Sequence, residues 1–149
     1  MKLIDLFSAS YRIKINYKLG KLVLNRFGNR GGILIKYLQF RQNTKFNCDI
    51  SYSAKITGKI SFPHPIGIVI GKEVVIGNNV KIFQQVTLGG KPANDPKYPI
   101  IEDNVTIYPG AKIIGGIIIG EGSTIAANAV VLKDVPKGKT AVGIPAKII

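Results

Sequence analysis

The chain has 149 residues, of which 46% are hydrophobic, and it carries a formal net charge of +13. That length and apolar content predict one folded domain and exclude wholesale disorder. The single cysteine excludes an internal disulfide, and the excess of lysine and arginine favours anionic partners. No apolar run has the length of a signal peptide or a membrane span, so we expect a cytoplasmic protein.

Residues 1–47 are predicted to form a basic, mainly helical segment. Ten lysines and arginines against two acids give residues 1–49 a net charge of +8. The break GNRGG at 28–32 separates a first helix from a second one predicted at 33–42. The apolar stripe of the first helix consists of Leu3, Phe7, Tyr11, Ile15, Leu19, Leu22 and Phe27.

The charge of this segment has two explanations that the sequence leaves open. The helices can pack on the rest of the chain with their basic face in water. Alternatively, they make a peripheral contact with an anionic membrane surface. Nucleic acid is not an expected partner, because no DNA- or RNA-reading motif accompanies the charge.

A period of six residues begins near residue 50 and continues almost to the end of the chain. It fits neither a helix nor a simple strand, and it predicts a solenoid in which three hexads make one triangular coil. Glycine and asparagine, as in IGNNV and IGEGS, are expected at the corners. The large inward residues are predicted to be Ile50, Ile56, Phe62, Ile70, Ile76, Ile82, Leu88, Ile101, Ile107, Ile113, Ile119, Ile125 and Val131. In the first three hexads, the companion residues four places later, predicted to lie near the corners, are Ala54, Ile60 and Ile66.

One long interruption divides the repeat at about 89–100. The stretch GGKPANDPKYP is rich in glycine, proline, asparagine and aspartate, which is typical of a loop that leaves a regular scaffold. The predicted organisation is therefore a helical segment at 1–47 and a β-solenoid domain at 48–149 that contains an excluded loop.

Five segments of the repeat region carry a family resemblance: DISYSAKI, HPIGIVIG, QQVTLGG, IYPGAKIIGGIIIGEGSTIAANAVV and VGIPAKII. They resemble the hexapeptide-repeat acyltransferases, and most closely the serine O-acetyltransferases and the related O-acetyltransferases of polysaccharide biosynthesis. The resemblance implies a left-handed parallel β-helix and acetyl-CoA as co-substrate, and acetyl transfer to a hydroxyl requires no metal. A homotrimer is expected because the successive residues Ile117 and Ile118 cannot both face one core, so a symmetric neighbour is a plausible cover.

The only histidine, His64, falls on the family's catalytic histidine, and Asp49 falls on the aspartate that orients it. Neutral imidazole is a suitable general base for a hydroxyl, and a carboxylate can fix its tautomer and stabilise the imidazolium. The alternatives are a solvated turn residue for His64 and a cap of the first coil for Asp49.

The resemblance also implies a cofactor groove between neighbouring subunits. Its pantetheine arm is expected near small residues, and two lysines are candidates for the remaining contacts. The residues are Gly89, Gly90, Lys91, Gly110, Ala111, Ala127 and Lys133.

The acceptor positions depart from the serine-specific members of the family. Those members have an aspartate directly before the histidine, where this chain has Pro63, and an Arg-His pair in the loop, where it has Lys97 and Tyr98. The loss of these charged contacts favours a sugar hydroxyl in a surface polysaccharide or its precursor as the acceptor. The alternatives are a serine O-acetyltransferase of cysteine biosynthesis and a non-catalytic scaffold that binds an acidic partner.

Overall fold

The computed structural model describes residues 8–91, 94 and 96–149, and it begins with a helical hairpin. Helix α1 spans Ala9–Phe27, a 3₁₀ turn covers Gly28–Gly31, and helix α2 spans Gly32–Phe46. The side chain of Ser8 caps α1 by accepting a hydrogen bond from the N–H of Tyr11 at 3.1 Å. No helix within these residues is long and apolar enough to cross a bilayer.

The buried face of α1 differs from the predicted stripe. The helix buries Ile13, Asn16, Tyr17, Gly20 and Val23. The stripe residues Ile15, Leu19, Leu22 and Phe27 are exposed, while Leu3 and Phe7 lie outside the described residues. Polar contacts set this orientation, which a pattern of apolar residues cannot reveal.

Two of those contacts join α1 to the first coil of the solenoid. The Tyr17 hydroxyl donates to the carbonyl of Ala54 at 2.7 Å, and the Tyr52 hydroxyl donates to Asn16 Oδ1 at 2.8 Å. Gly20 lies directly against the ring of Tyr52, with no room for a side chain. The glycine that weakens the helix therefore permits its close approach to the coil.

The second helix is tied to both neighbours through Gln42, which is fully buried. Its amide nitrogen lies 3.4 Å from Asn16 Oδ1 and donates to the carbonyl of Ile50 at 3.2 Å. Its oxygen accepts from the N–H of Ile50 at 2.5 Å. Because a buried backbone group needs a partner, this side chain completes the pairing that the first strand lacks on that side.

The remaining chain winds around three faces, A, B and C, which it visits in that order, and the strands within each face are parallel except for the last one. Each strand pairs with the strand one coil later, as the six-residue period predicts. Face A contains β1 (Asp49–Ile50), β4 (Val69–Ile70), β7 (Thr87–Gly89), β10 (Lys112–Ile114) and β13 (Val130–Val131). Face B contains β2 (Lys55–Ile56), β5 (Val75–Ile76), β8 (Ile100–Ile101) and β11 (Ile118–Ile119). Face C contains β3 (Ile60–Ser61), β6 (Val80–Ile82), β9 (Thr106–Ile107), β12 (Thr124–Ile125), β14 (Thr140–Val142) and β15 (Lys147–Ile148).

The solenoid core is a column of branched aliphatic side chains. From Ile70 to Ile125, every large residue predicted to point inward is at most 1% exposed. The companion position that follows Phe62 is filled by Ile68, which is fully buried, and not by the predicted Ile66, which is 59% exposed. The two extra residues of the phase shift therefore lie between Phe62 and Ile68.

Left-handed backbone conformations make the corners of the coils. Asn79 and Asn104 have φ of 56° and 61°, and Gly122 has φ of 69°. Side chains at successive corners also pair along the axis: Asp103 Oδ1 accepts from the N–H of Asn78 at 2.7 Å, and Asn79 donates to Asn104 at 2.9 Å. Asparagine therefore supplies both the turn geometry and a polar ladder.

Candidate active site

Face A is bordered by two edges, which organise the site. The CA edge, where the chain passes from face C to face A, consists of residues 62–68, 83–86, 108–111 and 126–129. The AB edge, where it passes from face A to face B, consists of residues 71–74, 90–99, 115–117 and 132–134.

His64 lies exposed at the first corner of the CA edge. Its carbonyl accepts a hydrogen bond from the N–H of Ile66 at 2.9 Å, which makes a tight turn. Gly67, with φ of 66°, donates to the carbonyl of Asn47 at 2.7 Å, and the Cys48 thiol donates to the carbonyl of Pro65 at 3.2 Å. The imidazole is thus exposed on a corner that is fixed to the start of β1.

Cys48 is the one thiol near this corner, and its environment makes it a poor nucleophile. The side chain is buried, and burial raises the pKa of the thiol above its ordinary value. A protonated thiol that already donates to a carbonyl is structural, because nucleophilic attack requires the thiolate.

Asp49 begins β1 on face A, beside the CA edge. It pairs with Val69 in β4, and its N–H donates to the carbonyl of Ile68 at 2.8 Å, so the corner that carries His64 runs alongside it. Its carboxylate is exposed and accepts a long hydrogen bond of 3.4 Å from Gln39 of α2. The described residues include no hydrogen bond between Asp49 and His64, so the orienting role stays a prediction.

The CA edge also holds groups that the sequence did not single out. Gln84 Oε1 is buried without a hydrogen-bond partner among the described residues. The rings of Phe83 and Tyr108 stack with centroids 5.3 Å apart, and Lys112 Nζ donates to the carbonyl of Gln85 at 2.6 Å. In the sequence these residues occupy ordinary outward positions of the hexads, and only their stacking along one edge brings them together.

The predicted cofactor residues of the CA edge differ in access. Ala127 is exposed and Gly110 is half-buried, with φ of 75°. A side chain at Gly110 would overlap the Asn128 amide, so glycine is required there. Ala111 is fully buried, its N–H donates to the carbonyl of Tyr108, and its carbonyl accepts from the N–H of Thr87. Ala111 therefore supports the edge from inside rather than presenting a side chain to a ligand.

The AB edge carries the ends of the excluded loop. The ring of Tyr98 packs over Gly71 and Gly90, where an added methyl group would lie 3.1 Å from it. The stem of Lys97 packs against Gly116, and that of Lys91 lies beside Gly115. Residues 92, 93 and 95 of the predicted loop lie outside the described residues. The glycines of this edge thus accommodate the returning loop, a role that their spacing alone did not indicate.

Lys133 lies further along the AB edge, beside a cavity of about 550 Å³ near the end of the chain. The lining includes Leu132, Pro145 and Lys147 and contains two lysines but no acidic residue among the described ones. Its two lysines make the rim of the cavity positively charged.

Metal chemistry has no ligand set in the part of the chain that the structure describes. No group of three histidine, cysteine, aspartate or glutamate side chains converges there.

The predicted site residues are therefore divided between the two sides of face A. His64 and Pro63 lie on the CA edge with Gly110, Ala111 and Ala127, and Asp49 lies on face A at the start of β1. Gly89 ends β7 on face A, and the AB edge carries the others, which are Gly90, Lys91, Lys97, Tyr98 and Lys133.

Comparisons with known proteins match the repeat region. The profile described as bacterial transferase hexapeptide (six repeats) covers residues 98–133, and the hexapeptide repeat of succinyl-transferase covers residues 61–84.

The curated relatives extend the match into the hairpin. A serine acetyltransferase of Buchnera aphidicola from Schizaphis graminum is 50% identical over 118 residues, which are 78% of this chain and 45% of the relative. The serine acetyltransferase of Escherichia coli K12 is 43% identical over 135 residues, which are 89% of this chain and 48% of the relative. The chain thus spans about half the length of these relatives.

Solved structures agree with the whole described fold. A serine acetyltransferase in complex with CoA is 40% identical, with a TM-score of 0.86 over 97% of this chain and 58% of that one. Soybean serine acetyltransferase complexed with serine is 42% identical, with a TM-score of 0.84 over 93% of this chain and 56% of that one.

These comparisons contradict the prediction of a sugar hydroxyl in a surface polysaccharide as the acceptor. The relatives and structures just described are all serine acetyltransferases. That prediction gave the departures at Pro63 and Tyr98 too much weight. Lys97 still offers a cation in the loop, and two changed positions count for little against about 40% identity along the chain.

Proposed function

The chain belongs to the hexapeptide-repeat transferase family, and from that membership we propose that it is a serine O-acetyltransferase that uses acetyl-CoA. The observation that carries the proposal is the agreement of 97% of the chain with a serine acetyltransferase solved in complex with CoA. The exposed His64 on its fixed corner supplies the chemistry that such a transfer requires.

In this proposal His64 is the general base. Its imidazole accepts the proton of the serine hydroxyl while the oxygen attacks the carbonyl carbon of the thioester. As the tetrahedral intermediate collapses, the carbon–sulfur bond breaks and the imidazolium returns the proton to the departing thiolate. No covalent enzyme intermediate is needed, which agrees with the protonated and buried state of Cys48.

Asp49 has the supporting role. It begins the strand beside the His64 corner, and its carboxylate accepts a hydrogen bond from Gln39. A carboxylate near the imidazole stabilises the cation that forms during the reaction.

We further propose that a complete site needs a second copy of the chain. His64 lies on the CA edge of face A and Lys97 on the AB edge. In a homotrimer of left-handed β-helices, the CA edge of one subunit would lie against the AB edge of the next. Lys97 would then meet the serine carboxylate, and the AB edge with Lys133 would hold the nucleotide end of acetyl-CoA. The exposed Ile118, beside the buried Ile117, supports a covered face.

Thiol release from acetyl-CoA tests the proposed reaction. We expect release to depend on L-serine and to yield O-acetylserine, identified by mass spectrometry, with a monosaccharide as the control acceptor. Release that does not require serine, or no release from a folded protein, would overturn the proposal. Sedimentation equilibrium at micromolar concentration tests the trimer separately, and a monomer with full activity would exclude the shared site.

Asp49→Asn tests the supporting role. This variant keeps the shape and one acceptor but loses the charge, so we expect a kcat between those of the wild type and of a variant without the imidazole. Gln39→Leu is the matched control for loss of the α2 contact, and it should retain most of the activity. Equal losses in both variants would assign Asp49 to holding the coil rather than to catalysis.

A further inference from the structure

The helical hairpin has an exposed apolar surface that nothing in the described chain covers. We call it the outer hairpin surface, and its two most exposed members are Ile33 at 89% and Phe40 at 65%. Ile33, Tyr37 and Phe40 recur at spacings of four and three residues, and so they share one side of α2. It consists of Leu19, Leu22, Phe27, Ile33, Tyr37 and Phe40. Exposed apolar side chains that share one helical side, as these do on α2, are typical of an interaction site.

The same hairpin is entirely cationic. Residues 8–48 contain nine lysines and arginines and no aspartate or glutamate, so none of these cations has an acidic partner within the hairpin. The first acid that follows, Asp49, accepts from the neutral Gln39. The cations are Arg12, Lys14, Lys18, Lys21, Arg26, Arg30, Lys36, Arg41 and Lys45.

A cavity between α1 and the first coil is also lined by lysines, with no acidic residue among the described ones. Its volume is about 750 Å³, and its floor is apolar, with Ile56 and Phe62 among the lining residues. Its described lining includes four lysines and no acid: Lys14, Lys18, Lys21 and Lys59. Lys21 donates to the Tyr17 hydroxyl and the Ala54 carbonyl, so its charge stays uncompensated.

We propose that the outer hairpin surface binds the surface of a bilayer that contains anionic lipids. The apolar side chains would lie at the level of the head groups and upper acyl chains, and the surrounding cations would contact lipid phosphates. This inference does not depend on the acetyl transfer, because no proposed catalytic residue belongs to the hairpin.

Charge decides between a bilayer and the other occupants of such a surface. A second hairpin would bring together two segments that carry cations and no acids, which is unfavourable for association. A nucleic acid would pair with the cations but would leave Ile33 and Phe40 in water. An anionic bilayer satisfies both features at once.

Flotation with lipid vesicles tests the proposal on the full chain. We expect binding to vesicles of phosphatidylcholine with 30% phosphatidylglycerol, weak binding to pure phosphatidylcholine, and release from the anionic vesicles at high salt. No binding to the anionic vesicles at low salt would overturn the proposal.

Paired variants separate the two contributions. Arg30→Gln with Lys36→Gln removes two hairpin cations and should lower partitioning about 25-fold, at about five-fold per charge. Ile33→Ser with Phe40→Ser should also lower partitioning at least ten-fold. The fold should be unaffected, because both side chains are exposed. The matched controls are Lys81→Gln with Lys139→Gln and Ile144→Ser with Ile149→Ser, which change exposed residues of the solenoid and should bind as the wild type does.

Two further results would overturn the proposal. If the Ile33 and Phe40 variant changes the sedimentation mass but not vesicle binding, the surface is a contact between copies of the chain. If the protein prefers single-stranded RNA to vesicles and the apolar variant binds RNA normally, the charge acts alone. Serine-dependent thiol release, measured in parallel, reports on the proposed reaction independently of these outcomes.

Discussion

The solenoid and the helical hairpin are built on different principles within one chain. In the solenoid, each coil repeats the last, so a buried residue such as Ile107 has equivalent neighbours above and below it. In the hairpin, position is decided by a few individual contacts, such as Gln42 with Ile50 and Gly20 with Tyr52. Repetition therefore distributes stability over many similar contacts, whereas the position of the hairpin depends on a few individual contacts.

The largest expected effect is on kcat, from a substitution in the solenoid. His64→Ala should lower kcat for serine acetylation about 10²–10⁴-fold, because a positioned general base contributes about that much. The melting temperature should not change, since the side chain is exposed. Steady-state kinetics and thermal unfolding, with Lys36→Gln of the hairpin as the control, measure both effects. A folded His64→Ala protein with nearly normal kcat would show that the corner is only part of the scaffold.

The sequence predicted the solenoid because a period of six leaves few alternatives. The inward column from Ile70 to Ile125 and the interruption at about 89–100 both follow from counting. The buried face of α1 did not follow, because Asn16 and Tyr17 orient the helix through hydrogen bonds to groups 36 and 37 residues away. Apolar periodicity carries no signal for such contacts.

A core substitution should have the next largest effect. Ile107→Ala removes a fully buried side chain from the column and should lower the free energy of unfolding by about 2–5 kcal/mol. Ile33→Ala in the hairpin, which changes an exposed residue, should alter it by less than about 0.5 kcal/mol. Urea unfolding of both variants measures the difference. Equal changes would mean that the outer hairpin surface is buried in the protein as it exists in solution.

The seam between the two regions is sensitive to a single methyl group. Gly20→Ala places that group in the ring of Tyr52 and should destabilise the protein by about 1–3 kcal/mol through overpacking. Gly32→Ala is the matched control, because nothing lies within 4 Å of its added methyl group, and it should be neutral or slightly stabilising. Thermal unfolding compares them. A neutral Gly20→Ala would show that α1 can move away from the coil at little cost.

The smallest effect is expected at the surface of the last coils. Lys137 donates to Glu121 at 2.6 Å, and this contact holds the pKa of Glu121 below its ordinary value and raises that of Lys137. The pair therefore stabilises the fold above the ordinary carboxyl pKa, and its contribution is lost as the pH falls through the lowered one. Because both side chains are exposed, Glu121→Gln should leave the melting temperature unchanged within error at pH 7. A loss of several degrees, absent at pH 3, would contradict this.

The site was predictable only as far as the repeat and the resemblance reach. The resemblance pointed to His64 and Asp49, and the structure places Asp49 in β1 beside the corner that carries His64, with no hydrogen bond between the two among the described residues. Gln84 was missed because a glutamine at an outward hexad position is unremarkable until its oxygen is found buried without a partner. The division of the candidate residues between two edges was also missed, because a list of positions does not specify which corner each one occupies.

The antiparallel strand β15 has a consequence for polymerisation. The last coil of a parallel stack can be extended, since its strands present unpaired backbone groups to which another coil or another molecule can add. Here the chain reverses after β14, and β15 pairs with it so that Ala141 faces Ile148. On face C, the strand that an incoming coil would extend is therefore already occupied by one running in the opposite direction. The fold thus terminates its own repeat on that face and removes a template for fibre formation.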